Sequence, residues 1–266
     1  MGQNLANFIK SIDQRLHDEY ILERYKSSTP ATPTPKFDFK PVKFKDETVL
    51  DDLTTIDELD DNHPAKQYVI KRKIPEKYFG LLYFCAKFKK LVNKVKPNTF
   101  KDTKGEHPRL IIPFFDTTGN LFAFQGRAFG KENPKYLTIK LDEDKQKIYG
   151  LERINFQKPI YIVEGPIDSL FIDNCLAAAG ADLSLNNVSK ENVTYIFDNE
   201  PRNREIVNRM YDIIEQGYKI VIWPKDMQLK DVNDMICENL NVQSIISIST
   251  FEKTEALLKI NDWKRV

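Results

Sequence analysis

The sequence predicts an α/β protein: a parallel sheet with flanking helices in its C-terminal half, preceded by a mixed α+β basic subdomain. Three observations carry this. From residue 159 short apolar runs alternate with amphipathic ones, the pattern of parallel strands joined by helical crossovers. Between residues 109 and 128 two apolar runs flank a turn at Thr118-Gly119-Asn120, the pattern of an antiparallel hairpin. Between Lys66 and Arg109 there are thirteen Lys or Arg against three acids, in a chain whose formal net charge is only +1. That local excess suits a polyanion such as nucleic acid, or a solvated basic face.

Taken in order, residues 5–26 carry apolar side chains at helical spacing (Leu5, Phe8, Ile9, Ile12, Leu16, Tyr20, Ile21), so residues 1–26 read as a helical appendage. Residues 27–48 hold Pro30, Pro33, Pro35 and Pro41 and read as an extended Pro/Thr-rich linker. Residues 49–157 form the basic subdomain. Its first part, to about residue 110, reads as mostly helical, with a helix opened by His63-Pro64 and running to about Arg72. The aromatic run from Phe79 to Phe88 reads as core. The hairpin RLIIPFFD/LFAFQGRAF follows, in which Gly126 lets the backbone pass something closely. PKYLTIKL is a further strand, and KIYGLER leads out of it.

Residues 158–240 form the parallel-sheet domain. IYIVEG is a strand, IDSLFIDNC is helical, and LAAAG is a short strand ending at Gly180. VTYIFDNE is a strand, REIVNRMYDIIEQG an amphipathic helix, YKIVIWP a strand and DVNDMICENL helical. Residues 241–266 are a C-terminal segment with a helix around Thr250 to Ile260.

The chemistry-bearing residues exclude several classes. Three distant cysteines (Cys85, Cys175, Cys237) and three scattered histidines offer no zinc-ligand spacing, so no zinc is expected in this chain. Cys85 and Cys175 lie in apolar surroundings and read as core. No apolar run approaches the ~20 residues of a membrane span, and no signal peptide opens the chain. A cytoplasmic location is expected, the bacterial host's cytoplasm if the protein is viral.

The acids are the informative feature. The first parallel strand ends in Glu164, the second in Asp198-Asn199-Glu200, and the third runs into Lys225-Asp226 with Asp231 beyond. Open parallel sheets bind ligands outside the carboxyl ends of their strands. Period two places Asp198 and Glu200 on one side of an extended segment. Carboxylates converging there repel one another unless a cation lies between them, and Mg²⁺ bridges a few carboxylates to phosphates.

This order of Glu-Gly, then Asp-x-Glu, then Asp231 resembles the TOPRIM domain over roughly residues 159–240. The resemblance makes Glu164 the family's glutamate and puts Asp198 and Glu200 in its Asp-x-Asp. Asp168 and Asp231 match further acids. Asn233 stands where bacterial primases often have another Asp. Upstream, Phe124, Gly126, Arg127, Pro134, Lys135, Tyr136, Lys147, Tyr149 and Gly150 resemble the basic subdomain of DnaG-type primases. HPAKQYVIKRKIP, LVNKVKPNTF, FQGRA, KIYG, EGPIDSLF, DNEPR and KDVNDMI are similar to the primases of T-even-like bacteriophages, from about residue 63 to 237.

The resemblance implies a DNA primase core that joins ribonucleoside triphosphates on a single-stranded DNA template beside a replicative helicase. Glu164, Asp198 and Glu200 would be catalytic and hold Mg²⁺ or Mn²⁺, with Asp168 and Asp231 in support. Arg127, Lys135 and Lys147, and more weakly Arg202 and Lys225, would bind nucleotide phosphates or the template. The family's usual zinc ribbon is not expected here, so a separate zinc-ribbon chain is a possible partner. Two other readings stay open: a module that binds single-stranded DNA and helicase, and a TOPRIM nuclease.

Overall fold

The computed structural model describes residues 5–27, 48–178 and 188–266. Most of the expected Pro/Thr linker lies outside the described residues, as does Gly180, the expected end of the LAAAG strand. The chain divides into two compact units, residues 1–46 and 47–266.

In the first unit the expected helical appendage consists of two helices, α1 (Leu5–Ile12) and α2 (Gln14–Ser27). The break is at Asp13, whose carboxylate accepts from the N–H of Arg15 at 2.8 Å and caps α2. Leu5, Phe8, Ile12 and Leu16 are exposed.

The second unit contains two sheets. The first is antiparallel throughout, in the order β1 (Thr54–Thr55), β2 (Tyr83–Cys85), β3 (Arg109–Phe115), β4 (Leu121–Ala128), β5 (Tyr136–Lys140). The β3–β4 hairpin is the expected one. The expectation of a mostly helical stretch up to residue 110 is corrected. Only α3 (Pro64–Lys71) and α4 (Phe88–Val95) are α-helical there, with a 3-10 turn at Glu76–Leu81 between them. Tyr83–Cys85 is a strand because the open edge of β3 offers its backbone a ladder. α3 starts as expected, with Pro64 in its first turn and the His63 ring accepting from the N–H of Ala65 at 3.1 Å.

The second sheet has the order β11 (Thr250–Phe251), β10 (Lys219–Val221), β9 (Val193–Ile196), β7 (Ile160–Val163), β8 (Cys175–Ala178), β6 (Ile148–Tyr149). Its four central strands are parallel and its two edges antiparallel. β6, from the KIYG motif, is one of those edges. The helix expected over IDSLFIDNC is corrected to one 3-10 turn, Asp168–Phe171. Ile172 is already extended, and Asn174 turns left-handed with its amide donating to Asn155 and Pro159 carbonyls. Those bonds draw the chain back beside β7, and Cys175 opens β8.

On one face of this sheet, α5 (Arg204–Glu215) and α8 (Lys253–Trp263) bury Ile206, Val207, Met210, Ile214, Ala256 and Ile260. On the other, α6 (Val232–Cys237) and α7 (Val242–Ile248) share a core with the first sheet, in which Leu110, Ile112 and Phe114 meet Val163, Ile196 and Met235. A third cluster packs α4 on the opposite face of the first sheet through Phe88, Leu91, Val92, Ile111 and Phe124. Phe79, Leu82, Cys85 and Phe88 are buried, as expected of core, and so is Cys175.

What passes Gly126 closely is the ring of Phe88, which a Cβ there would strike; the Arg109 side chain lies 3.0 Å from that position. Gly126→Ala overpacks a fully buried site and should cost about 1–3 kcal/mol in urea denaturation. Combined with Phe88→Leu, the two losses should be less than additive.

Candidate active site

Strand order places the site. From β7 the chain crosses to β8 on one side, then returns to β9 on the other, so the switch point lies at the carboxyl ends of β7 and β9. Glu164 follows β7 directly, and Asp198 lies two residues beyond β9. Glu164 Oε2 accepts from the N–H of Asp198 at 3.4 Å, so the two strand ends meet. Gly165 is required beside them, because a Cβ at that position would strike the Asp168 carboxylate.

Each acid already has a partner. Arg209, on α5, reaches Glu164 Oε1 at 2.5 Å and lies over the Phe197 ring. Lys230 lies 2.5 Å from Glu200 and 3.7 Å from Asp198. Asn203 also donates to Glu200 at 2.8 Å. Asp168 accepts from the N–H of Asn233 at 2.9 Å, and Asp231 caps α6 by accepting from the N–H of Asp234 at 2.7 Å.

The charges show how closely the acids are packed. The Asp198 carboxyl is pushed up to about 7, first by desolvation, then by the charges of Glu164 and Asp231. Asp168 is also pushed up to about 7, by desolvation and then by Asp231. Glu200 moves the other way, held down first by its hydrogen bond from Lys230 and then by the one from Asn203. The shared lysine therefore favours Glu200 over Asp198.

The nearest basic group of the first-sheet segment is Lys135, which feels the charge of Asp231, with Arg127 beside it. Arg127 is buried on β4; its Nε donates to the Tyr136 hydroxyl at 2.7 Å, and its guanidinium lies over the Tyr68 ring. Its buried Nη1 has no hydrogen-bond partner. Lys135 loses proton affinity through desolvation, then through Arg127 and Arg72, while Asp231 opposes the loss. Arg72 bonds Asn233, whose amide returns a 2.7 Å bond to the Arg72 carbonyl.

The structure thus brings Glu164, Asp168, Asp198, Glu200 and Asp231 to one edge, with Lys135 within electrostatic reach of Asp231 and Arg127 beside Lys135. Lys147 is exposed in the surroundings of Glu143, and no hydrogen bond or ion pair ties it to the acids. Arg202 and Lys225 are exposed and line a cleft beside Glu200. Sequence reading missed Arg72, Arg209, Lys230 and Asn199. Lys230 and Asn199 had local signals, since one immediately precedes Asp231 and the other separates Asp198 from Glu200.

The donors at this edge are all carboxylate oxygens, which suit a hard divalent cation. Lys230, lying between Asp198 and Glu200, marks where a cation is favoured. Among the described residues no three acidic, His or Cys side chains already converge as a ligand set. Glu164, Asp198 and Glu200 could form one by turning from their present cations. Asp168 and Asp231 each commit an oxygen to a backbone N–H behind them.

Over 234 residues the chain is 37% identical to the DNA primase of Enterobacteria phage T4, an alignment covering 86% of this chain and 68% of that protein. The zinc-binding and RNA polymerase domains of Aquifex aeolicus primase superpose with a TM-score of 0.57 at 19% identity, covering 97% of this chain and 73% of theirs. The E. coli primase catalytic core superposes at 0.54 and 16% identity, covering 73% and 75%. No protein-family profile matches the chain. The structural likenesses bear out the expected fold: a TOPRIM parallel sheet with flanking helices, preceded by a mixed α+β subdomain.

Raised carboxylates destabilise the folded state where they are charged. The folded chain keeps protons on Asp168 and Asp198 up to about pH 7, whereas the unfolded chain releases them near pH 4. Their contribution to stability therefore falls as pH rises from about 4 to 7 and stays lost above. In chelator-containing buffer at pH 8, Asp198→Asn should be more stable than the wild type by at least about 1 kcal/mol. The difference should vanish towards pH 4, as read by denaturation midpoints across that range.

Proposed function

The chain belongs to the DNA primase family, and on that premise we propose that the acid edge of the second sheet is where it joins ribonucleotides. The activity is that of a DNA-directed RNA polymerase of the primase type, a nucleotidyltransferase that makes short RNA primers on single-stranded DNA. A 3′-hydroxyl attacks the α-phosphate of an incoming ribonucleoside triphosphate, and pyrophosphate leaves.

One observation supports this placement above the rest. The acids of the second sheet gather at one edge, and Lys135, from the first-sheet segment, lies within electrostatic reach of both Asp231 and Arg127. Phosphoryl transfer needs both signs: oxygen donors for a metal, and cations for the polyphosphate. Glu164, Asp198 and Glu200 are the proposed ligands of Mg²⁺, for which Mn²⁺ can substitute. When bound, the ion neutralises charge developing on the phosphoryl oxygens. Asp168 and Asp231 support these ligands, Asp168 through the α6 N-terminus and Asp231 as its cap.

Lys135 and the unpaired Nη1 of Arg127 are the proposed phosphate or template contacts. Tyr136 and Tyr68 hold the Arg127 guanidinium by a hydrogen bond and by its position over the Tyr68 ring. Lys147 is a candidate for the template strand further out. A replicative helicase is the protein partner this reading calls for. Among the described residues no helix is long and apolar enough to cross a membrane.

Glu164→Gln should lower primer synthesis on single-stranded DNA by about a thousandfold while leaving the urea midpoint near that of the wild type. Persistent synthesis would remove Glu164 from the site. Lys135→Ala, which deletes one charge-assisted contact, should raise the KM for ribonucleotide about tenfold. Steady-state primer synthesis with varied nucleotide checks it.

A further inference from the structure

Beside Glu200 lies a cleft of about 420 Å³ that none of Arg72, Arg127 or Lys135 lines. Its walls are the turn 200–203 and the loop 224–228, and Trp263 and Arg265 close one side. The walls are cross-braced. The Asn199 amide donates to the carbonyls of Met227 and Leu229, both at 3.0 Å, and its oxygen accepts the Trp263 indole N–H at 3.0 Å. The Arg265 backbone N–H donates to Pro201 at 2.8 Å, and its guanidinium to the Lys225 carbonyl at 3.1 Å. The cleft is therefore tied to the residue that separates Asp198 from Glu200.

Its chemistry is two-sided. Pro201, Pro224, Met227 and Trp263 give it an apolar wall, while Arg202, Lys225 and Arg265 are exposed cations around it. The acid among its lining residues, Glu200, is already paired with Lys230. An apolar wall beside several cations suits a nucleotide, with base or ribose on the wall and phosphates on the cations, and the volume is sufficient for one.

The reaction needs such a place. The first bond of a primer joins two ribonucleoside triphosphates. A 3′-oxygen-to-α-phosphorus bond forms, the bond from that phosphorus to the pyrophosphate oxygen breaks, and the hydroxyl proton passes to solvent. Pyrophosphate leaves only from the incoming nucleotide, and the attacking one keeps its triphosphate. Two polyphosphates must be held at once, and their repulsion calls for two separate sets of cations. Resting on the primase reading above, we propose that this cleft holds the attacking ribonucleoside triphosphate, with Arg202, Lys225 and Arg265 on its phosphates.

Equilibrium dialysis with labelled ATP and Mg²⁺ tests the cleft directly. The wild type should bind two ATP per chain and Arg202→Ala/Lys225→Ala one; equal stoichiometry in both proteins overturns the proposal. If the double variant instead keeps both ATP and loses affinity for a single-stranded oligonucleotide, the cleft binds the strand and the proposal falls. In activity, synthesis from triphosphates alone should drop at least tenfold more than extension of a supplied dinucleotide primer, and equal losses overturn it. Failure of the primase reading looks different: the wild type would then neither make nor extend primers, while the dialysis would still decide the cleft.

Discussion

Carboxylates gathered at the carboxyl edge of a parallel sheet repel one another, and the surroundings of β7 and β9 are organised around that repulsion. Glu164 and Asp198 follow adjacent strands, with Asp168 and Asp231 packed behind them. Each is held by something positive or by a backbone N–H: Arg209, Lys230, and the amides of Asp198, Asn233 and Asp234. Even so, Asp168 and Asp198 keep their protons to about pH 7. An edge with this much unspent negative potential favours a divalent cation over any monovalent side chain.

That tension explains several local choices. Residue 165 is glycine because the Asp168 carboxylate occupies the space of a Cβ. Residue 233 is an amide, and it uses both functions, accepting from the Arg72 guanidinium and donating to the Arg72 carbonyl. An aspartate there would add another charge within reach of Asp168. The exchange also fastens the end of α3 to the start of α6.

The two sheets are not independent bodies. Residues of β3 and β4 share one apolar core with β7, β9 and α6, and β6 leaves the basic segment to become an edge of the parallel sheet. Burial on both faces makes the spacing between acids and cations a property of the core. A site that must place metal ligands and phosphate contacts together gains from that rigidity.

Much of this was legible in the chain. Alternating apolar and amphipathic runs determined the parallel sheet, because each strand buried on both faces must be continuously apolar. The acids stood out because they end such strands, where a buried run gives way to charge. The helical reading held at Pro64–Lys71 but failed at Tyr83–Cys85 and after Phe171, where hydrogen bonding to a neighbouring strand outweighed local propensity. The chain likewise showed that Gly126 must pass something, but not that the something is Phe88, thirty-eight residues earlier. By itself the sequence determined the β3–β4 hairpin, the parallel strands with their acid ends and the basic segment, since these depend on residue type and spacing along the chain. Only the tertiary structure decided which cations meet which acids, because Arg209 reaches Glu164 across 45 residues and Arg72 reaches Asn233 across 161. Such contacts depend on how sheets and helices pack, and no local pattern encodes them.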